Sequence, residues 1–369
     1  MALSARFSPN PLFANQSPSR RGDPYAQASR ALLNPGDISI STIQACIILG
    51  AVRVGDGEAA AAEGVCLAAA RRAHCVELPS RFLVGTIMRE VHLRDWVEMA
   101  RHDNVPLPMD EEVFLNLDPT IANGIVAVSD SSRGSSLLAQ MIRLNDISLE
   151  VKDHIKDLAA TPLTPASHRR VVDLAVKLEK WREALPGHLR PTEDNLRCHA
   201  ARGLGRLFVA VHLSGYHVGQ VLFYPYLDER LGGSAFVQHC ALTCKRFATG
   251  LSRLLDAGMA TPGCGVKDSL VGHFTVVASS IHMHTVRFEK KTRRVNKAMR
   301  RLEKNVKHLG ELQKYWPVLD TCVSRMWTFI EPWQTNYRMD RWMVRFLTEF
   351  ARPLAADERI ERTAWGVGS

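Results

Sequence analysis

The sequence predicts an all-α protein. Apolar residues recur at spacings of three and four through most of the chain, alternation with period two is almost absent, and no repeat of fixed length is visible. The first pattern belongs to helices with one buried face, the second argues against a sheet, and the third argues against a stacked solenoid. At 369 residues, 46% of them hydrophobic, the chain carries enough apolar surface for a sizeable core in one large domain or two smaller ones.

Taken in order, residues 1 to about 30 mix Ser, Pro, Asn and Arg with little periodicity and are expected to form a tail. A helical body over residues 31–355 and a short C-terminal tail over 356–369 should follow. Helices are predicted over roughly 41–52, 59–75 and 82–101, the second on its alanine-rich stretch, since alanine costs a helix the least. Pro106 and Pro108 then interrupt the pattern, because proline lacks a donor and restricts its predecessor. The polar run Ser131, Ser132, Gly134, Ser135 and Ser136 reads as a linker. Amphipathic helices are predicted over 137–158 and 167–185, the latter stopped by Pro186 and Gly187. Further helices are expected over 192–227, 234–258, 267–288, 291–316, 319–333 and 340–350.

Four stretches carry a family likeness. They are the run from Gly203 to Leu227 (GLGRLFVAVHLSGYHVGQVLFYPYL), Thr42 to Gly50 (TIQACIILG), Leu107 to Phe114 (LPMDEEVF) and Tyr337 to Pro353 (YRMDRWMVRFLTEFARP). Together they resemble, in motif and in order, the helical regulatory region of fungal zinc binuclear-cluster transcription factors. The resemblance implies an all-α regulatory domain that controls transcription, often of specialised-metabolite genes. It also implies nuclear localisation, homo- or heterodimers with related factors, and a small-molecule effector. Such factors carry six closely spaced cysteines upstream, holding two zinc ions beside a basic DNA-contacting segment. This sequence begins after that point, so no sequence-specific DNA binding by the chain alone is expected. Its residues 2–11 resemble the end of the family's first regulatory helix. The sequence also departs from the pattern in the short stretch between Trp96 and Leu107, where the family usually has an extra helix's worth of residues.

Charge and cysteine usage narrow the chemistry. The net charge is +9, and between Arg287 and Lys307 ten Lys or Arg face only Glu289 and Glu303, so most of the excess lies in one segment. Val295, Met299, Leu302, Val306, Leu309 and Leu312 fall on one helical face there. The opposite face then presents Lys290, Lys291, Arg293, Arg294, Lys297, Arg300 and Arg301, a basic surface for solvent, an acidic partner or a phosphate backbone. Aromatic residues do not interleave with these charges, so a base-stacking surface is not indicated. None of the eight cysteines shows two-residue spacing, and no complete zinc ligand set is present, so buried reduced thiols and no bound metal are expected. No apolar run approaches the ~20 residues that cross a bilayer, and the N-terminus lacks the layout of a secretory signal. A soluble, intracellular protein without membrane contact is expected.

No catalytic signature stands out. The histidines lack the i, i+4 pairing with a carboxylate that marks a helical metal site, and no Gly-x-Ser-x-Gly elbow occurs. Gly203 to Gly205 and Gly263 to Gly265 do not follow a strand and read as close helix packing and a turn, and Asp110, Glu111 and Glu112 read as a solvated helix start. A small-molecule pocket between helices would draw on His212, Tyr216, His217 and Tyr224, apolar bodies with polar tips that orient a ligand. The first reading is therefore a transcription regulator acting through protein partners, with no cofactor. A second is a cofactor-independent isomerase or cyclase for a small apolar metabolite, placed in the cytoplasm, and a third is an inactive shortened gene product.

Overall fold

Short polar side chains start the helices. The hydroxyls of Ser39, Thr164, Thr192 and Ser234 accept from the backbone N–H three residues on, and the carboxylate of Asp268 accepts from the N–H of Leu270. Asp340 receives the N–H of Met343 in the same way, at 2.7 Å. Each bond satisfies a donor that the first turn of a helix leaves without an intrahelical partner. Thr164 and Ser167 bond reciprocally as a capping box.

The computed structural model describes residues 1–34, 37, 39–58, 61–62, 64–65, 107–116, 136–160, 164–327 and 337–350. Among them lie the helices α1 (Ala2–Ala5), α2 (Asp23–Leu32), α3 (Ile40–Gly55), α4 (Glu111–Leu115), α5 (Leu137–Ala160), α6 (Pro165–Glu183) and α7 (Glu193–Ala201). There follow α8 (Gly205–Phe223), α9 (Ala235–Ala260), α10 (Ser269–Phe288), α11 (Thr292–Gln313), α12 (Val318–Trp327) and α13 (Arg341–Thr348). No strand occurs among the described residues, so the protein is all-α as its periodicity predicts. No helix among them is long and apolar enough to cross a membrane.

The chain divides into two compact units. One comprises residues 1–105, 307–327 and 349–369, the other 106–306 and 328–348. In the first, Ala2, Ala26, Leu49 and Val52 form a buried cluster. Arg6 is fully buried: its guanidinium bonds Asp56 at 2.6 Å and the Tyr315 carbonyl at 3.0 Å and lies 4.9 Å from the Trp316 ring centroid. Gly55 admits that ring, which a Cβ would displace. These contacts correct the expectation of a tail over residues 1–30. α1 is docked by Arg6, and α2 buries Ala26. The expected tail over 356–369, the helix over 82–101 and most of that over 59–75 lie outside the described residues.

In the second unit α8 is the central element. Val209, Val211, Leu213, Val218, Val221 and Leu222 are buried on different sides of it, against α5, α6, α7, α9 and α10. α5 offers Leu137, Leu144, Val151, Ile155 and Leu158, and α6 offers Val171, Leu174, Leu178 and Trp181, each a stripe at helical spacing. The helix predicted over 192–227 is broken: Gly203 takes φ +76°, which an L side chain rarely adopts, and the chain turns there from α7 into α8. Glu111 is likewise no solvated carboxylate. It is buried, and it accepts the Ser136 hydroxyl at 2.8 Å and the N–H groups of Leu137 (3.1 Å) and Leu138 (2.9 Å), capping α5 from a distance in sequence.

Close approach of α8 and α9 depends on glycine. A Cβ at Gly219 would lie 2.5 Å from the Phe247 ring, which is itself stacked on Phe223 at 6.0 Å. Gly219→Ala is expected to destabilise the protein by about 1–3 kcal/mol through overpacking, read as a lower midpoint in urea unfolding. Gly187 faces open space, so Gly187→Ala should change stability by less than about 1 kcal/mol. Equal midpoints for the two variants would remove steric closeness as the reason for Gly219.

Candidate functional site

Two cavities border α9, and only part of the predicted pocket lies on them. His212 and Tyr216, one helical turn apart on α8, line a cavity of about 300 Å³ with Trp181, Arg182, Leu185 and Arg190. Tyr216 also reaches the larger cavity, of about 1040 Å³, whose walls come from α6, α8, α9, α10 and α11. His217 and Tyr224 line neither of these two cavities. The His217 ring stacks on Phe274 with centroids 4.1 Å apart, and the Tyr224 hydroxyl meets Ser280 Oγ at 2.9 Å. Both point into the packing against α10, so His212, Tyr216 and His217 of α8 and Tyr224 of the turn that follows it do not share one site.

Three buried histidines are committed to backbone carbonyls. Nε2 of His212 donates to the Leu189 carbonyl at 2.8 Å, that of His284 to Leu227 at 2.9 Å, and that of His199 to His188 at 3.1 Å. Nε2 of His282 meets Ser252 Oγ at 3.0 Å. Burial pushes the pKa of His212 down to about 4 and those of His282 and His284 to about 3, with Arg301 adding to the effect on His282 and Lys245 to that on His284. These rings are neutral at ordinary pH. Burial also raises the thiols of Cys240, to about 11, and of Cys244 further. A thiol so placed is a small apolar group and a poor nucleophile.

The larger cavity has two chemically distinct sides. Toward α6 it is apolar: Val171, Val172, Ala175 and Val176 face Phe236 and Phe247 of α9. Val172, Val176 and Leu242 remain about half exposed there. Toward α10 and α11 it is basic, with Lys245 and Arg253 of α9 beside Arg294, Lys297 and Arg301 of α11. The structure therefore divides the predicted basic surface. Arg294, Lys297 and Arg301 turn into this cavity, while Lys290, Lys291, Arg293 and Arg300 are exposed and do not line it. The buried line of α11 runs through Ala298, Asn305, Leu309 and Leu312, whereas Met299 and Val306 of the expected apolar face are about 40% exposed.

Lys245 and Arg253 escape a reading of charge runs because α9 carries only Lys245, Arg246 and Arg253 as Lys or Arg among mostly apolar residues. Their signal is the spacing: Lys245, Thr249 and Arg253 follow at i, i+4 and i+8, which places them on one stripe. Among the described residues no group of three or more His, Cys, Asp or Glu is placed to hold a metal ion. No family model, curated protein or solved structure matches the chain.

The depressed histidines set an acid limit on stability. A histidine neutral in the fold and titrating near 6.5 when unfolded binds more protons in the unfolded state. Stability from His212, His282 and His284 is therefore complete above about pH 6.5 and is lost as pH falls toward about 4 and then 3. His212→Gln, which keeps a donor for the Leu189 carbonyl, should flatten the dependence of urea-unfolding stability between pH 6.5 and 4 by up to about 1.4 kcal/mol per pH unit. Parallel profiles for the two proteins would show that His212 protonates as freely in the fold as outside it.

Proposed function

We propose that this chain is a regulatory domain of transcription control that responds to a small-molecule effector and acts in the nucleus through protein partners. The supporting observation is the open cavity of about 1040 Å³ on a scaffold whose buried histidines are already engaged in holding the fold. A cavity with apolar walls and a few convergent polar groups is the usual form of a ligand site. The motif resemblance adds the regulatory role, dimerisation with related factors, and specialised-metabolite genes as targets. DNA sequence is then read by a partner and not by this chain. The residues Lys290, Lys291, Arg293 and Arg300 give it an exposed basic face suited to sequence-independent contacts.

A second reading, a cofactor-independent isomerase or cyclase, draws on His212 and Tyr216, which share the cavity of about 300 Å³. There positioning would supply the catalysis. Nε2 of His212 is occupied by the Leu189 carbonyl, which leaves only Nδ1 for proton transfer and favours the regulatory reading.

Deletion of the gene separates the two. Transcripts of a defined gene set should fall in the deletion strain, and purified protein should leave the metabolites that accumulate unchanged. Intact transcripts, together with in vitro conversion of one accumulated metabolite that is lost in a folded Tyr216→Phe variant, would overturn the regulatory assignment.

A further inference from the structure

The basic side of the larger cavity has a surplus of positive charge that the described residues do not neutralise. The two carboxylates on the cavity are taken: Glu179 pairs with Arg182 at 3.1 Å and Glu289 with Arg294 at 3.0 Å. Lys245, Arg253, Lys297 and Arg301 also line it, and none has an ion-pair partner among the described residues. Two of the four are disfavoured as cations by their placement. Burial lowers the Lys245 pKa, outweighing the distant carboxylates of Glu229 and Glu289. Burial, and then the positive charge of Arg253, lower that of Arg301. Cations brought together and partly desolvated without a counter-charge cost stability.

Geometry explains what could relieve that cost. Lys245, Thr249 and Arg253 form one stripe of α9, Lys297 and Arg301 are one turn apart on α11, and Thr285 of α10 also lines the cavity, its hydroxyl proton donated to the Ile281 carbonyl at 3.1 Å. His282 closes the base of the site as a neutral ring held by Ser252, adding no charge.

We propose that this side of the cavity binds a small multivalent organic anion, a phosphate- or carboxylate-bearing metabolite, through Lys245, Arg253, Lys297 and Arg301. The inference deepens the regulatory reading and rests on it only for the ligand's role as effector. A volume of about 1040 Å³ accommodates such a molecule, with room for an apolar portion toward Val172 and Val176. A nucleic-acid backbone is the poorer fit. Its phosphates meet exposed side chains along an extended face, and the cations here that are half buried, Lys245 and Arg301, stand in a concavity.

The test is calorimetric titration of the full chain with inorganic pyrophosphate and, in parallel, with citrate, which separates a phosphate from a carboxylate source. One of the two should bind with a stoichiometry of one. Arg301→Gln and Arg253→Gln should each weaken it about tenfold or more, as expected when a charge-assisted hydrogen bond is lost. The double variant Lys290→Gln/Arg293→Gln, on the same charged segment but off the cavity, should bind as the parent does. Arg253 is exposed, so its variant keeps the test valid if Arg301→Gln perturbs folding, which circular dichroism reports. Unchanged affinity in the folded Arg253→Gln variant, equal weakening by the Lys290/Arg293 pair, or uptake of many anions per chain would overturn the site. So would binding of a polyglutamate peptide through these residues when neither small anion binds, since that assigns the surface to an acidic polypeptide. Failure here with a transcript loss on deletion leaves the regulatory reading standing. Anion binding with intact transcripts does the reverse.

Discussion

The near-complete burial of α8 is the constraint that organises the larger unit. A helix enclosed by α5, α6, α7, α9 and α10 has no solvent side on which to place polar residues, yet it carries His212, Ser214, His217 and Gln220, all buried. A buried donor or acceptor left without a partner costs roughly 1–3 kcal/mol. The surroundings answer part of that demand. The short 3₁₀ turn Gly187–Leu189 delivers the Leu189 carbonyl to His212, Phe274 of α10 stacks on His217, and the 3₁₀ turn after α8 brings Tyr224 to Ser280. Tyr337 adds a second tie to the same residue, donating its hydroxyl to the Ser280 carbonyl at 3.0 Å. The histidines that attract attention as chemistry are thus part of how a polar helix is made tolerable in a core.

That arrangement also decides where a ligand could bind. α9 turns Val237, Cys244, Ala248, Leu251 and Leu255 inward and is held close to α8 by Gly219 and Gly250. Its outward residues are released from packing and free to be polar or charged. Lys245, Thr249 and Arg253 lie along the flank that meets α10 and α11, and Phe236, Thr243 and Gly250 along the flank that meets α6 and α8. The cavity's two-sided chemistry follows from one helix separating two neighbours of different character, the valine-rich face of α6 and the basic side of α11.

How much of this was legible in the sequence depends on the range of the interaction that decides it. Helical periodicity is local, and it placed α5, α6, α9 and α10 close to their observed bounds. The break at Gly203 is also local, but a Gly-Leu-Gly run within an apolar pattern reads equally as close packing, and only the positive φ distinguishes a turn. Residues 1–30 were illegible for a different reason. Their order comes from Arg6 meeting Asp56 and Tyr315, partners 50 and 309 residues away. Glu111 shows the same limit, since three adjacent carboxylates look solvated until Ser136 and the start of α5 are placed beside one of them. The candidate site was half readable. The basic run of α11 announces itself, whereas its division into cavity-lining and outward residues is set by which side of α11 meets α9, a tertiary fact.

The tie between Arg6 and Tyr315 has a temporal side as well. The smaller unit is discontinuous, with its first part ahead of the entire larger unit and the rest after residue 306. At translation rates of ~5–20 residues per second, the ~300 residues between Arg6 and Tyr315 take on the order of 15–60 s to emerge. During that interval the Arg6 guanidinium has Asp56 within reach but neither the Tyr315 carbonyl nor the Trp316 ring, and Gly55 lacks the indole it was shaped to admit. Arg6 and Gly55 are thus made well before the residues at 315 and 316 that complete their packing.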